Sequence, residues 1–342
     1  MMLDYAGGFK EAVAGLADYE SAGLEIVFVP EAYSFDAVSQ LGFIAARTSK
    51  LELASGILPI YSRTPALTAM TAAGLDYVSD GRFTLGVGTS GPQVIEGWHG
   101  VAYDAPIGRT RELIEICRKA WRRETLEYHG KHYTLPFPGG TGLSKPLHLI
   151  NKPVRERIPI VVAALGPKNV ALAAEIADGW QPIFYFPEKA PIAWQAPLEE
   201  GAAKRPAELG KLDVIAAAPL AIGDGEDVTG MRDLMRPTFA LYIGGMGARE
   251  RNFYNDLAVR FGYEEAAKAI QDAYLAGRKG EAAALVPAEL LAKTSLIGPA
   301  GYVAERLAAL RESGVTTLNV TPLAPTLPDR VRMLEKVRAL IG

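Results

Sequence analysis

Apolar and polar positions repeat along the chain in one rhythm: a short β-prone run, then a stretch whose apolar residues recur every three to four positions. Met2 to Tyr5 opens it, ahead of Phe9, Val13, Leu16 and Tyr19 on one helical face. Ile26 to Val29 leads into a helical segment from Phe35 to Thr48, and Leu51 to Ser55 forms the third run. Pro65 then starts the clearest helix, in which Leu67, Met70, Thr71, Gly74, Leu75 and Val78 keep i, i+3, i+4, i+7 spacing. Arg82 to Val87 follows the Asp80-Gly81 turn. The rhythm resumes with Ile158 to Ala163, a helix through Val170, Ala173, Ala174 and Ala177, then Asp178 to Ile183, Leu212 to Ile222 and Thr316 to Val320.

Three stretches interrupt it. Tyr128 to Tyr133 reads as a hairpin around Gly130-Lys131, with His129 and His132 exposed. Pro187, Pro191, Pro197 and Pro206 suit a wandering loop or broken helices. Helical segments from Thr229 to Ser313 exceed what one crossover needs. Alternating units predict a parallel sheet, and eight of them predict closure into an α/β fold of the (β/α)8 TIM-barrel type. The expected organisation is a single domain over residues 1–342, with insertions at about 89–157 and 223–313. A doubly wound open sheet competes, because Gly86-Val87-Gly88-Thr89-Ser90-Gly91 fits G-x-G-x-x-G after a strand. Against that reading, the match falls in the fourth unit, Pro92 follows it, and Glu112, where an acidic strand end belongs, lies in a helix.

Composition narrows the partners. A net charge of -3 gives no positive field for nucleic acid. No apolar run reaches the roughly 20 residues that cross a bilayer, and the N-terminus lacks a signal-peptide pattern, so the expected compartment is the cytoplasm and the expected ligand a small molecule. Cys117 is the single cysteine; it excludes an intrachain disulfide and a thiolate metal cluster, and its helical spacing with Leu113, Ile116 and Trp121 places it in the core.

In a barrel, chemistry belongs where strands end. Those positions hold Pro30-Glu31-Ala32-Tyr33, Gly56-Ile57-Leu58, Gly88-Thr89-Ser90-Gly91 and Ala164-Leu165-Gly166-Pro167-Lys168. Gly166-Pro167-Lys168 at a helix mouth suits an anion, and equally a plain helix start. Of four histidines, His99 lies nearest the mouth. H-E-x-x-H, G-x-S-x-G and P-loop patterns are missing, and no metal site is expected. Cofactor-borne redox chemistry needs none of these groups.

The strings Gly56-Ile57-Leu58-Pro59-Ile60-Tyr61-Ser62-Arg63-Thr64-Pro65, Leu75 to Gly88, Ala163 to Asn169, Ala177-Asp178-Gly179-Trp180 and Leu296-Ile297-Gly298-Pro299 resemble the luciferase-like monooxygenase superfamily. Ser90 to Val94, Glu96 to Gly100, and Tyr242-Ile243-Gly244-Gly245-Met246-Gly247 are similar to its branch dependent on coenzyme F420. The resemblance implies a cofactor at the strand C-termini and hydride transfer to or from a small organic substrate. It also implies a non-prolyl cis peptide at Gly56-Ile57 behind the deazaflavin ring. Thr89 and Ser90 match ring contacts, and Ala164, Leu165, Gly166, Pro167 and Lys168 match the segment near the cofactor phosphate. Relatives are commonly homodimers. Glu31-Ala32 stands where alcohol dehydrogenases of the family carry Asp-His, and Gly91-Pro92 where the sugar-phosphate enzyme has an acidic residue, which speaks against both substrates. Glu31 and His99 are the candidate proton donors, Glu31 also a cofactor contact. An FMN-dependent monooxygenase and a non-catalytic flavin-binding barrel are the alternatives.

Overall fold

The computed structural model describes residues 1–3 and 8–342. The expected first strand, Met2 to Tyr5, lies partly outside these residues, but Met2 forms a parallel bridge to Phe28. Strands follow at β1 (Ile26–Val29), β2 (Glu52–Ser55), β3 (Leu58–Pro59), β4 (Phe83–Gly88), β5 (Tyr128–His129), β6 (Thr134–Leu135), β7 (Ile160–Ala163), β8 (Gly179–Gln181), β9 (Asp213–Ile222), β10 (Leu296–Gly298) and β11 (Thr317–Pro322). Hydrogen bonds join nine of these described strands into one sheet in the order β1-β2-β4-β7-β8-β9, with β10 and β11 both on β9 and β3 on β4. Every pairing within it is parallel, with sequence neighbours side by side, as in a (β/α)8 barrel. The sheet curls: Phe28, Ala54, Val161 and Ile215, from four strands, form one buried interior cluster.

Both faces of this sheet are covered, so its strands read as continuous apolar runs, as β4 and β7 do. The helices fit less simply. The stripe of Leu67, Met70 and Val78 is not the face laid on the sheet: helix Pro65–Val78 buries Thr68, Ala69, Ala72, Leu75 and Asp76 and turns that stripe outward. Small side chains let the helix lie close, and hydrophobicity alone does not reveal them.

Two further expectations are corrected. The region from Thr229 to Ser313 is not wholly helical, because Leu296–Gly298 forms β10 and extends the sheet along the end of β9. In the proline-rich stretch the loop alternative gives way to helix: Ala190–Ala202 carries Pro191 in its first turn and Pro197 inside, and a separate 3-10 turn, Ala207–Leu209, follows Pro206. A proline frees the carbonyl four residues back. Here that carbonyl, Ala193 O, accepts from Arg260 Nη1 at 3.1 Å.

The β5–β6 hairpin forms as expected. Buried Glu112, on helix Pro106–Trp121, receives the N–H groups of Lys131 at 2.8 Å, His132 at 3.0 Å and Tyr133 at 2.8 Å. His132 is thereby half-buried rather than exposed. Cys117 is fully buried, and burial pushes its thiol far above the usual range.

Candidate functional site

The site begins with a bulge. In β2, Ala54 pairs with Thr84, whereas Leu58 of β3 pairs with Val87, so one residue more is spent on the β2–β3 side than on β4. The Gly56-Ile57 peptide inside that excess is cis. Ser55 fastens the bulge to β4: its Oγ donates to Gly86 O at 2.8 Å and accepts from Gly86 N at 2.8 Å. A Cβ at Gly86 would stand 1.8 Å from Ser55 O, and one at Gly88 would stand 3.0 Å from Ile57 Cδ1. The glycines that fit a dinucleotide fingerprint therefore serve close backbone approach of the bulge.

Around the bulge, the strand-end residues gather as the barrel geometry requires. Thr89 and Ser90 follow β4, Ser90 in the left-handed region at φ 54°, and Thr89 Oγ1 donates to Ser90 O at 3.4 Å. Ala164 to Lys168 follow β7 and open helix Pro167–Ile176. The carbonyls there are held from behind: Trp180 Nε1 donates to Ala164 O at 2.9 Å, and Trp194 Nε1 and Arg260 Nη2 donate to Leu165 O at 3.1 and 3.3 Å. That leaves the first N–H groups of the helix, without intrahelical acceptors, beside the exposed Lys168. Asn169 Oδ1 is buried there with no partner.

Glu31 ends β1 with its carboxylate already engaged. Arg63 Nη1 and Nη2 meet Oε1 and Oε2 at 2.6 and 2.9 Å, and Oε2 accepts from Ala37 N at 2.9 Å, so the group joins the β1 loop, the bulge segment and a helix start. His99 differs: its Nε2 is buried without a hydrogen-bond partner.

The sequence family described as luciferase-like monooxygenase matches residues 1–317. The chain belongs to it. A Mycobacterium tuberculosis protein provisionally named a coenzyme F420-dependent oxidoreductase is 41% identical over 309 residues, covering 90% of this chain and 89% of its own length. The 5,10-methylenetetrahydromethanopterin reductase of Archaeoglobus fulgidus is 28% identical, with 93% and 90% covered. Among solved structures, the F420-dependent tetrahydromethanopterin reductase from Methanopyrus kandleri superposes with a TM-score of 0.78 over 98% of this chain and 96% of that one, at 24% identity, a likeness of fold.

As a member of this luciferase-like family, the chain carries further ordered structure in the long segments between its strands. The string Tyr242 to Gly247 takes a π-helical turn over Leu241–Gly245, and buried Asn252 secures it, its Nδ2 donating to Tyr242 O at 3.0 Å and Ile243 O at 2.9 Å. Wide turns of this kind recur at functional sites. Tyr242 packs edge-on to Tyr254 at 4.7 Å and to Phe184 at 5.6 Å, and Phe184 stacks on Phe239 at 3.9 Å. Phe184 follows β8, so the aromatic wall stands at the C-terminal end of that strand.

A cavity of about 280 Å³ lies at the opposite end of the strands, lined by Met1, Ile26, Leu318, Val320 and Leu334. Its wall is mostly apolar, with Glu25, Arg311, Thr316, Thr317 and Arg338 on its polar side, where Arg338 pairs with Glu25 at 2.8 Å. Among the described residues, no cluster of His, Cys, Asp or Glu could hold a metal ion, and no helix is long and apolar enough to cross a membrane. Sequence reading passed over Arg63, Arg260, Gln181 and Asn319. For the last two a signal existed: Gln181 is the one polar side chain of β8, and Asn319 is the one carboxamide of β11, whose other polar residues are Thr317 and Thr321.

Proposed function

We propose that the chain is an F420-dependent oxidoreductase that transfers a hydride between the deazaflavin and a small organic substrate, acting in the cytoplasm as a homodimer. The observation that carries this reading is the cradle at the strand C-termini. It comprises a glycine-floored bulge at Ser55–Leu58 and, after β7, a helix start with unpaired N–H groups beside Lys168. A flat ring with a phosphate-bearing tail fits both parts, and the name of the 41% identical relative supports this cofactor.

When bound, the deazaflavin supplies the carbon that gives or takes the hydride. The chain's residues do the rest. Gly56-Ile57 backs the ring, Thr89 and Ser90 border it, and Gly166 to Lys168 hold the phosphate. Glu31 acts through Arg63 as a positioning group that keeps the bulge segment in place. His99, whose buried Nε2 has no partner, is the residue we assign to moving a proton at the substrate. The aromatic wall from Phe184 to Tyr254 excludes water. Titrating the purified protein with F420 and with FMN tests the cofactor: F420 binds, while tight FMN binding without F420 binding overturns the proposal in favour of an FMN-dependent monooxygenase.

Arg260 gives a second test. It ties the Leu165 carbonyl to the helix carrying Pro197, so Arg260→Met loosens the phosphate segment without touching the ring. F420 affinity falls about ten-fold, the equivalent of one charged hydrogen bond of about 1.5 kcal/mol, when read by fluorescence titration. Unchanged affinity would remove Arg260 from cofactor positioning.

The outward stripe of helix Pro65–Val78 supports the dimer. Leu67, Met70, Tyr77 and Val78 are 46–67% exposed, an apolar run along one helix. Contiguous exposed apolar surface marks an interface. Light scattering after size exclusion should report twice the chain mass for the native protein and a monomer for Met70→Glu.

A further inference from the structure

Side chains inside the barrel can be placed layer by layer. Phe28, Ala54, Val161 and Ile215 touch one another across it, so these positions face the interior. Two residues further along a strand, the side chain returns to the same face. That brings Ala163 and Ala217 one step nearer the mouth, and Gly56 with them, since a Cβ there would meet Phe28 Cβ and Met2. Paired residues on neighbouring parallel strands share a face. Gln181 pairs with Ala163, and Asn319 pairs with Ala217, so both carboxamides point inward as well.

The layer around them is unusually small: Gly56, Ala163 and Ala217. Each is partly accessible, whereas Val161, Ile215 and Phe28 beneath are sealed, so open volume descends from the mouth and stops at this level. At that level the two amides are idle. Gln181 is 9% and Asn319 1% exposed, and Gln181 Oε1, Asn319 Oδ1 and Asn319 Nδ2 have no hydrogen-bond partner in the protein. Buried polar groups are satisfied in more than nine cases of ten, and an unmet one calls for a ligand or water.

We infer that Gln181 and Asn319 form the polar floor of the ligand site and read the imide edge of the bound ring. The inference rests on the deazaflavin reading. A carboxamide offers an N–H donor and a C=O acceptor side by side, the complement of the C=O, N–H, C=O sequence along a dioxopyrimidine. The glycine and the two alanines leave width for a planar ring above the floor. Nothing charged is needed at this depth, because the imide is neutral. The same edge occurs in F420 and in FMN, so the floor recognises the ring system while the Gly166–Lys168 segment recognises the tail.

Opposite signs on two readouts test this. An amide left idle in the ligand-free barrel costs stability, and an apolar replacement of similar shape removes that cost. Asn319→Leu and Gln181→Met should therefore melt, without ligand, at or above the native temperature, yet bind F420 at least ten-fold more weakly by fluorescence titration. A deazaflavin methylated at the imide nitrogen supplies the matching loss on the ligand side: it should bind the native protein worse than its parent and Asn319→Leu no worse than its parent. Native affinity in both variants, or a lowered melting temperature in both, overturns the inference and leaves the amides to ordered water or to a structural role. Failure of the native protein to bind F420 while it binds FMN is a separate outcome. It overturns the cofactor assignment, and the two variants tested against FMN then decide the floor.

Discussion

Replacing Gly86 by alanine should destabilise the protein by about 3 kcal/mol and remove cofactor binding. The added methyl would stand 1.8 Å from Ser55 O and 3.0 Å from its carbonyl carbon, both backbone atoms in a strand hydrogen-bonded on either side. No rotamer change relieves such a contact. The strands must part, and with them go the two 2.8 Å bonds between Ser55 Oγ and Gly86 that fasten the bulge to β4. Gly88→Ala is the control. Its methyl meets the Ile57 side chain at 3.0 and 3.1 Å, which can turn aside at a cost of about 1 kcal/mol, and Ala163 Cβ at an ordinary 3.4 Å. Thermal unfolding and F420 titration of the two variants should separate clearly. Equal, mild effects would show that β2 and β4 are not bound as tightly as the register implies.

The same two glycines show how far the sequence could be read. A G-x-G spacing after a strand is compatible with a pyrophosphate turn and with a bulge pressed onto β4, and only the register, Ala54 with Thr84 but Leu58 with Val87, separates them. The strands Ile26–Val29, Phe83–Gly88 and Ile160–Ala163 were legible because sheets buried on both faces need unbroken apolar runs. Leu296–Gly298 was not: three residues between helices carry no periodicity, and the strand exists because the far end of β9 extends beyond its pairing with β8. The stripe on helix Pro65–Val78 was visible but gave no direction, since it divides: Leu75 is buried with Thr68, Ala69, Ala72 and Asp76, while Leu67, Met70 and Val78 are exposed. For the site, strand-end positions pointed to Glu31, Thr89 and Lys168 without saying what they touch. That Glu31 is engaged by Arg63, 32 residues away, is a fact of tertiary structure.

Removing the arginine that faces buried Asp76 should be more damaging than removing the aspartate. Asp76, on the sheet-facing side of helix Pro65–Val78, is 0% exposed, whereas its partner Arg155 is 33% exposed. Arg155 Nε lies 3.1 and 3.2 Å from the two carboxylate oxygens, and Nη2 bonds both Asp76 Oδ1 and Phe83 O at the start of β4. The guanidinium thus staples the helix, β4 and the segment returning from the hairpin toward β7. In Arg155→Met the carboxylate stays buried without its counter-charge, a change that costs about 3–5 kcal/mol. In Asp76→Asn the neutral amide tolerates burial, and Arg155 turns its exposed edge to water, so the loss is about half as large. Urea unfolding should rank the variants in that order. Below their unfolding transitions both should bind F420 with native affinity, because the staple holds the N-terminal end of β4 and the ligand site lies at its other end. The reverse ranking would mean that exposure does not govern the cost of breaking this pair, and lost affinity in the folded variants would mean that the two ends of β4 are coupled.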